Sequence, residues 1–233
     1  MSSLGLSFIN REENRMTKIE DQNSTPATSG IILHGARFYD ILAWVMMFGR
    51  ERAFREKLID LARLKPGDTV LDVGCGTGTL AITAKRRVGP TGKVYGIDPS
   101  PEMIARSGQK ARKAGLDIVF KNGAIEALPF SNAQFDAVLS TLMFHHLPHK
   151  LREAGAREIR RVLKPGSRVL VVDFGGTEQQ RGLLARLHQR HGHVKLPVVI
   201  GLLGAAGLNV VESGVVGVKD LHFTLATAPC CEQ

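Results

Sequence analysis

"VLDVGCGTGTL", Val70 to Leu80, sets three glycines, Gly74, Gly76 and Gly78, directly between an apolar run and a helical pattern. Glycine lets a ligand approach the backbone closely, and a turn that opens a helix aims free N–H groups at that ligand. The order is G-x-G-x-G, which departs from the G-x-G-x-x-G of a dinucleotide fingerprint, and no Gly-Lys-Ser/Thr follows to cradle phosphates. Asp72, just before Gly74, argues further against a pyrophosphate, because a carboxylate repels phosphate and suits an ammonium or sulfonium charge. Asp98 ends the next apolar run, where an acidic side chain can accept both hydroxyls of a ribose. An adenosine bearing a cationic amino-acid tail satisfies both carboxylates.

Outward from this loop, short β-branched runs alternate with helical patterns. "TVLDV", "KVYGID", "DIVFKNG", "FDAVLSTL" and "RVLVVDF" read as strands, with helices over Thr79 to Val88, Pro101 to Ala114 and His149 to Val162. Such alternation implies parallel crossovers and a sheet covered on both faces. "LKPG" occurs at Leu64–Gly67 and again at Leu163–Gly166, each time as punctuation between a helix and a strand. After Phe174 the pattern changes to two helices, "EQQRGLLARLHQRHGHVKL" and "LPVVIGLLGAAGL", then two strands, "NVVESGVVGV" and "LHFTLATA". The short turn around Gly217 to Asp220 requires an antiparallel pair. The expected fold is doubly wound α/β, a seven-stranded, mostly parallel sheet with the last strand antiparallel.

The 233 residues suit one such domain. Residues 1–30 are polar and without periodicity and read as a disordered tail; 31–233 read as the domain. Within it, 31–64 is helical, 65–174 the core, 175–208 a helical pair and 209–228 the terminal strand pair. The net charge of +9 comes from basic residues scattered over several segments, which reads as a solvated basic surface. Cys75, Cys230 and Cys231 make no disulfide framework and fit a reducing compartment. The apolar patch "LGLSFI" lacks the core of a secretory signal, and Pro197 and several glycines interrupt the most apolar segment, so a cytoplasmic protein is expected.

"VLDVGCGTG", "GIDPSPEMI", "EALPFSNAQFDAVLS" and "EIRRVLKPGSRVLVVDF" resemble the successive motifs of class I S-adenosylmethionine-dependent methyltransferases, and they cover most of the chain. Within that class the likeness is to the ubiquinone/menaquinone-biosynthesis C-methyltransferase-like group, where "FYD" also leads into a helix. The resemblance implies S-adenosyl-L-methionine as cofactor and S-adenosyl-L-homocysteine as product. It implies that Asp72 and the loop of Gly74, Cys75, Gly76 and Gly78 hold the methionine moiety and that Asp98 holds the ribose. Pro99 and Met103 would flank the adenine, the backbone at Ser140 and Thr141 would receive the methionine amine, and Tyr39 would close over its carboxylate. Many relatives carry Asp in "G-D-A-E-A-L-P-F", where this chain has Ala124. The backbone of Ala124 and Ile125 can still meet the base, but one hydrogen bond is in doubt, which implies somewhat weaker cofactor affinity.

His145 and His146 follow the fourth strand in "LMFHHLP". They either shape the loop or supply a general base or orienting donor, His146 ahead of His145. His188, His191 and His193 lack the i, i+4 spacing of a helical zinc pair, so no metal is expected. In this family the N-terminal helices and the segment after the fifth strand form a lid over the acceptor. A lid carrying Trp44, Met46, Met47 and Phe48 suggests a small lipophilic or aromatic acceptor, a quinone-type precursor first, methylated at carbon or oxygen. Arg50, Arg52 and Arg55 leave open an anionic head group and peripheral membrane contact, hence a phospholipid-amine N-methyltransferase as rival. A non-catalytic sensor or scaffold that only binds the cofactor is the rival of another class. No nucleic acid partner is expected, since basic and aromatic residues do not interleave; the oligomeric state stays open.

Overall fold

The apolar residues of "ERAFREKLIDL" recur on one face of a helix, and Phe54, Leu58 and Ile59 are buried there in helix α1 (Glu51–Leu61). The computed structural model describes residues 51–175, 195–218 and 220–230. Then follow strand β1 (Thr69–Val73), helix α2 (Thr79–Val88), strand β2 (Lys93–Asp98), helix α3 (Pro101–Lys113) and strand β3 (Val119–Asn122). Strand β4 (Phe135–Thr141), helix α4 (His149–Val162) and strand β5 (Leu163–Phe174) complete the alternating series. Helix α5 (Leu196–Ala205) and strands β6 (Asn209–Val215) and β7 (Leu221–Thr227) close the domain. Residues 1–50, among them the expected tail and most of the expected lid, lie outside the described residues, as do 176–194.

The seven strands form one sheet in the order β3-β2-β1-β4-β5-β7-β6. β1 to β5 pair in parallel, and β7 runs antiparallel to both β5 and β6. The expected architecture is therefore observed, with the reversed strand inserted between β5 and the edge. Among the described helices, α1, α2 and α3 bury one face of the sheet through Phe54, Leu58, Leu80, Ile104 and their neighbours. Helices α4 and α5 bury the other through Ala156, Ile159, Val199 and Leu203.

Two boundaries differ from the sequence expectation, each for a local reason. The second "LKPG" is not a separate turn: β5 begins at Leu163, which pairs with Phe135 before an irregularity, and the regular ladder resumes at Arg168. Both motif glycines nonetheless have positive φ, +87° at Gly67 and +72° at Gly166, as a glycine turn requires. Helix α5 stops at Ala205, ahead of the expected end, because Gly207 turns left-handed at φ +80°.

The amino end of β4 is locked by an aromatic trio. Phe135 is fully buried and meets Tyr95 and Phe130 edge to face at centroid distances of 5.6 and 5.1 Å. Phe135→Ala should lower unfolding free energy by about 3–5 kcal/mol. Urea titration is the measurement, and a loss below about 1 kcal/mol would mean that the trio relaxes around the cavity.

Candidate active site

The glycine turn is shaped by where its backbone hydrogen bonds go. The N–H groups of Gly74 and Cys75 both donate to the Ile97 carbonyl, at 2.8 and 3.0 Å, so the turn folds back on the end of β2. Gly74, Gly76 and Gly78 all have positive φ. A Cβ on Gly78 would stand 2.6 Å from the Ser107 Cβ and 2.9 Å from the Phe120 ring, so a larger residue meets α3 and β3. Gly78 caps α2 without any side-chain hydrogen bond.

On the cleft side, Asp98 Oδ2 accepts from Gly76 N–H at 3.0 Å and Oδ1 from Ser100 N–H at 2.9 Å. Each oxygen keeps a further lone pair for a hydroxyl. Burial raises this carboxyl above its ordinary range, against the pull of those two N–H groups. The cleft is also lined by Pro99, Met103, Ala124, Ile125, Thr141 and His146.

Behind the glycine turn, a second cavity is lined by Asp72, Cys75, Thr77, Arg55 and Phe54 and shares Gly74, Thr141 and Leu142 with the first. Asp72 is 2% exposed, and its Oδ2 has no hydrogen-bond partner. Burial, reinforced by the neighbouring Asp98 charge, pushes its carboxyl from 3.8 up to about 7. Lys110 Nζ donates to Thr77 Oγ1 and Thr79 Oγ1 at 2.7 and 3.1 Å, bringing a cation to the same wall. Arg55 pairs with Glu51 and lines this cavity.

These residues fit S-adenosylmethionine. An orphaned buried carboxylate answers a cationic amine, Arg55 answers the carboxylate of the same amino acid, and Asp98 retains acceptors for the ribose hydroxyls. Thr141 borders both cavities at the end of β4, and the neighbouring Ser140 is buried with no partner for its Oγ. Cys75 is buried in the wall of the second cavity, and burial pushes its thiol up. Tyr39, Trp44, Met46, Met47, Phe48, Arg50, His188, His191, His193 and Cys231 lie outside the described residues.

At the carboxyl end of β4 and β5, His146 faces the cleft and the His145 ring packs against it, with centroids 3.8 Å apart and the planes tilted by 42°. His145 Nδ1 lies 2.7 Å from Asp173 Oδ1, while the backbone N–H groups of His145 and Phe174 donate to the same carboxylate at 3.1 and 2.8 Å. Asp173 is 4% exposed and escaped the sequence reading. Its signal was present, since it closes an apolar strand in the manner of Asp72 and Asp98. Leu142, also missed, adopts φ +56° where it borders both cavities.

Fold and site together define a domain for a cationic adenosine ligand, and comparison with known proteins agrees. Residues 70–166 match the family model described as a methyltransferase domain. The chain is 35% identical over 175 residues to the chloroplastic 2-phytyl-1,4-beta-naphthoquinone methyltransferase of Arabidopsis thaliana, an alignment covering 73% of this chain and 65% of the relative. It is 33% identical over 165 residues to the demethylmenaquinone methyltransferase of Thermus thermophilus, covering 71% and 73%. Among solved structures, a SAM dependent methyltransferase from Aquifex aeolicus superposes with TM-score 0.68 at 25% identity, covering 84% of this chain and 99% of that one. The chain belongs to the S-adenosylmethionine-dependent methyltransferases, in the ubiquinone/menaquinone-biosynthesis C-methyltransferase-like group. It spans just under two thirds of the Arabidopsis relative's length, at 65%.

The Asp72 environment carries a pH signature. Unfolded, its carboxyl titrates near 3.8; folded and ligand-free, near about 7, so the fold holds an extra proton between those values. Stability from this group is therefore present at low pH and lost as pH rises through about 7. Thermal denaturation of the ligand-free protein across that window should show the slope, and Asp72→Asn should flatten it. An unchanged slope in the variant would place its origin elsewhere.

Proposed function

We propose that this chain transfers the cofactor's methyl group to a small lipophilic aromatic acceptor of the quinone-precursor type, at carbon or oxygen. In this reading Asp72, Arg55 and the loop of Gly74, Cys75 and Gly76 hold the methionine end of the cofactor. Asp98 holds the ribose, and Pro99, Met103, Ala124 and Ile125 hold the base. The cofactor, when bound, supplies an electrophilic methyl, so the protein's task is positioning, exclusion of water and proton removal from the acceptor.

The observation that carries the acceptor side is His146 on the cleft wall beside Leu142, Met143 and Leu147, a basic nitrogen in an apolar surround. A ring hydroxyl that loses its proton to His146 becomes a stronger nucleophile, at oxygen directly or at the adjacent ring carbon through the delocalised anion. Asp173 accepts from the His145 backbone N–H and meets its ring, and that ring packs tilted against His146, so the buried carboxylate acts through His145 as a positioning residue. The names of the naphthoquinone and demethylmenaquinone relatives support the same acceptor class.

The test is incubation with methyl-labelled cofactor and a reduced polyprenyl-naphthoquinol in detergent, read by mass spectrometry for a product one labelled methyl heavier. His146→Ala should lower kcat by about 10²–10⁴ while leaving cofactor affinity unchanged. Cofactor binding with no labelled naphthoquinol or benzoquinol product would overturn the acceptor class and favour a sensor or scaffold.

A further inference from the structure

Glu126 sits one turn beyond the end of β3, in the short 3₁₀ segment Ile125–Ala127, and lines the cofactor cleft with Asp98, Pro99 and Ala124. Its Oε2 is buried and has no hydrogen-bond partner. A buried acceptor left without a donor is costly, and a charged one more so, which makes this atom conspicuous beside a ligand cleft.

The segment that carries Glu126 is held firmly. Leu128 N–H donates to Glu158 Oε2 at 2.8 Å, and Arg161 donates to the carbonyls of Leu128 and Phe130 at 2.9 and 2.7 Å. Arg161 also pairs with Glu158 at 2.7 Å, and each holds the other in its charged form. Ile125 packs against Gly155 of α4 so closely that a Cβ there would lie 2.7 Å from it. Helix α4 thus fixes the loop on the outer side while Glu126 borders the cleft.

We infer that Glu126 is the acceptor for the exocyclic 6-amino group of the adenine, in place of the side chain that Ala124 lacks. This rests on the assignment of S-adenosylmethionine to the cleft. In that assignment Asp98, at the end of β2, takes the ribose, so the base falls toward the loop after the neighbouring strand β3. There Ala124 offers only a methyl and its backbone, whereas Glu126 offers an unsatisfied carboxylate oxygen. An amine N–H donating to that oxygen supplies the missing partner and distinguishes adenine from a purine without the amine.

Calorimetry with S-adenosylhomocysteine and with its analogue carrying hydrogen in place of the 6-amino group separates the two assignments. The wild type should bind the natural compound roughly 10- to 100-fold more tightly than the analogue. Glu126→Ala should remove that preference, Glu126→Gln should retain part of it, and adding Ala124→Asp to Glu126→Ala should restore it. A preference that persists in Glu126→Ala, or one absent from the wild type while S-adenosylhomocysteine binds normally, overturns the role of Glu126 alone. Failure of the wild type to bind either compound overturns the cofactor assignment and this inference with it.

Discussion

Two backbone N–H groups, those of Gly74 and Cys75, converge on one carbonyl oxygen, that of Ile97. That pairing holds the glycine turn against the end of β2, and the site depends on it. It places the Gly76 N–H on Asp98 and leaves α2 beginning at a residue with no side chain to cap it. A residue with a Cβ at Gly78 would press on Ser107 and Phe120 and push the turn off this seat. Positive φ at three glycines is the conformational condition for the geometry.

The same seat brings Asp72 and Asp98 into one buried region, where burial and then the Asp98 charge oppose the ionisation of Asp72. Without ligand, the arrangement resembles other functional sites in which a polar group is buried before its partner arrives. A cation bound between the strands reverses the balance, because it favours the charged carboxylate that burial had disfavoured. Affinity for a sulfonium-bearing amino acid and the cost of the empty site are thus two aspects of one interaction.

Much of the cofactor half was legible because it is written in short-range pattern. β1, β2, α2 and α4 fall where alternation and glycine punctuation place them, since an apolar run can be buried on both faces only by parallel crossovers. What escaped depends on contacts between distant segments. Leu163 joins β5 because it meets Phe135, and Leu142 borders both cavities through a left-handed backbone, which alternation along β4 alone does not reveal. His145 and His146 are adjacent in sequence, yet only the fold separates the residue bound to Asp173 from the one at the cleft. Asp173 carries the strand-ending carboxylate already seen twice, so its omission was one of reading and not of information.

The net charge of +9 finds its place in the same topology. The last turns of α2, α3 and α4 carry Arg86 and Arg87, Arg112 and Lys113, and Arg160 and Arg161. Each of these helices feeds the start of the next parallel strand, so these cations gather at the amino edge of the sheet, where helix C-termini favour positive charge. The carboxyl edge carries Asp72, Asp98, Glu126 and Asp173. The amino edge also holds Asp68 and Asp136, paired there with Arg168 and Lys164, so its cations are partly compensated while the cleft edge gathers carboxylates. A basic protein can in this way present an acidic site to a cationic ligand.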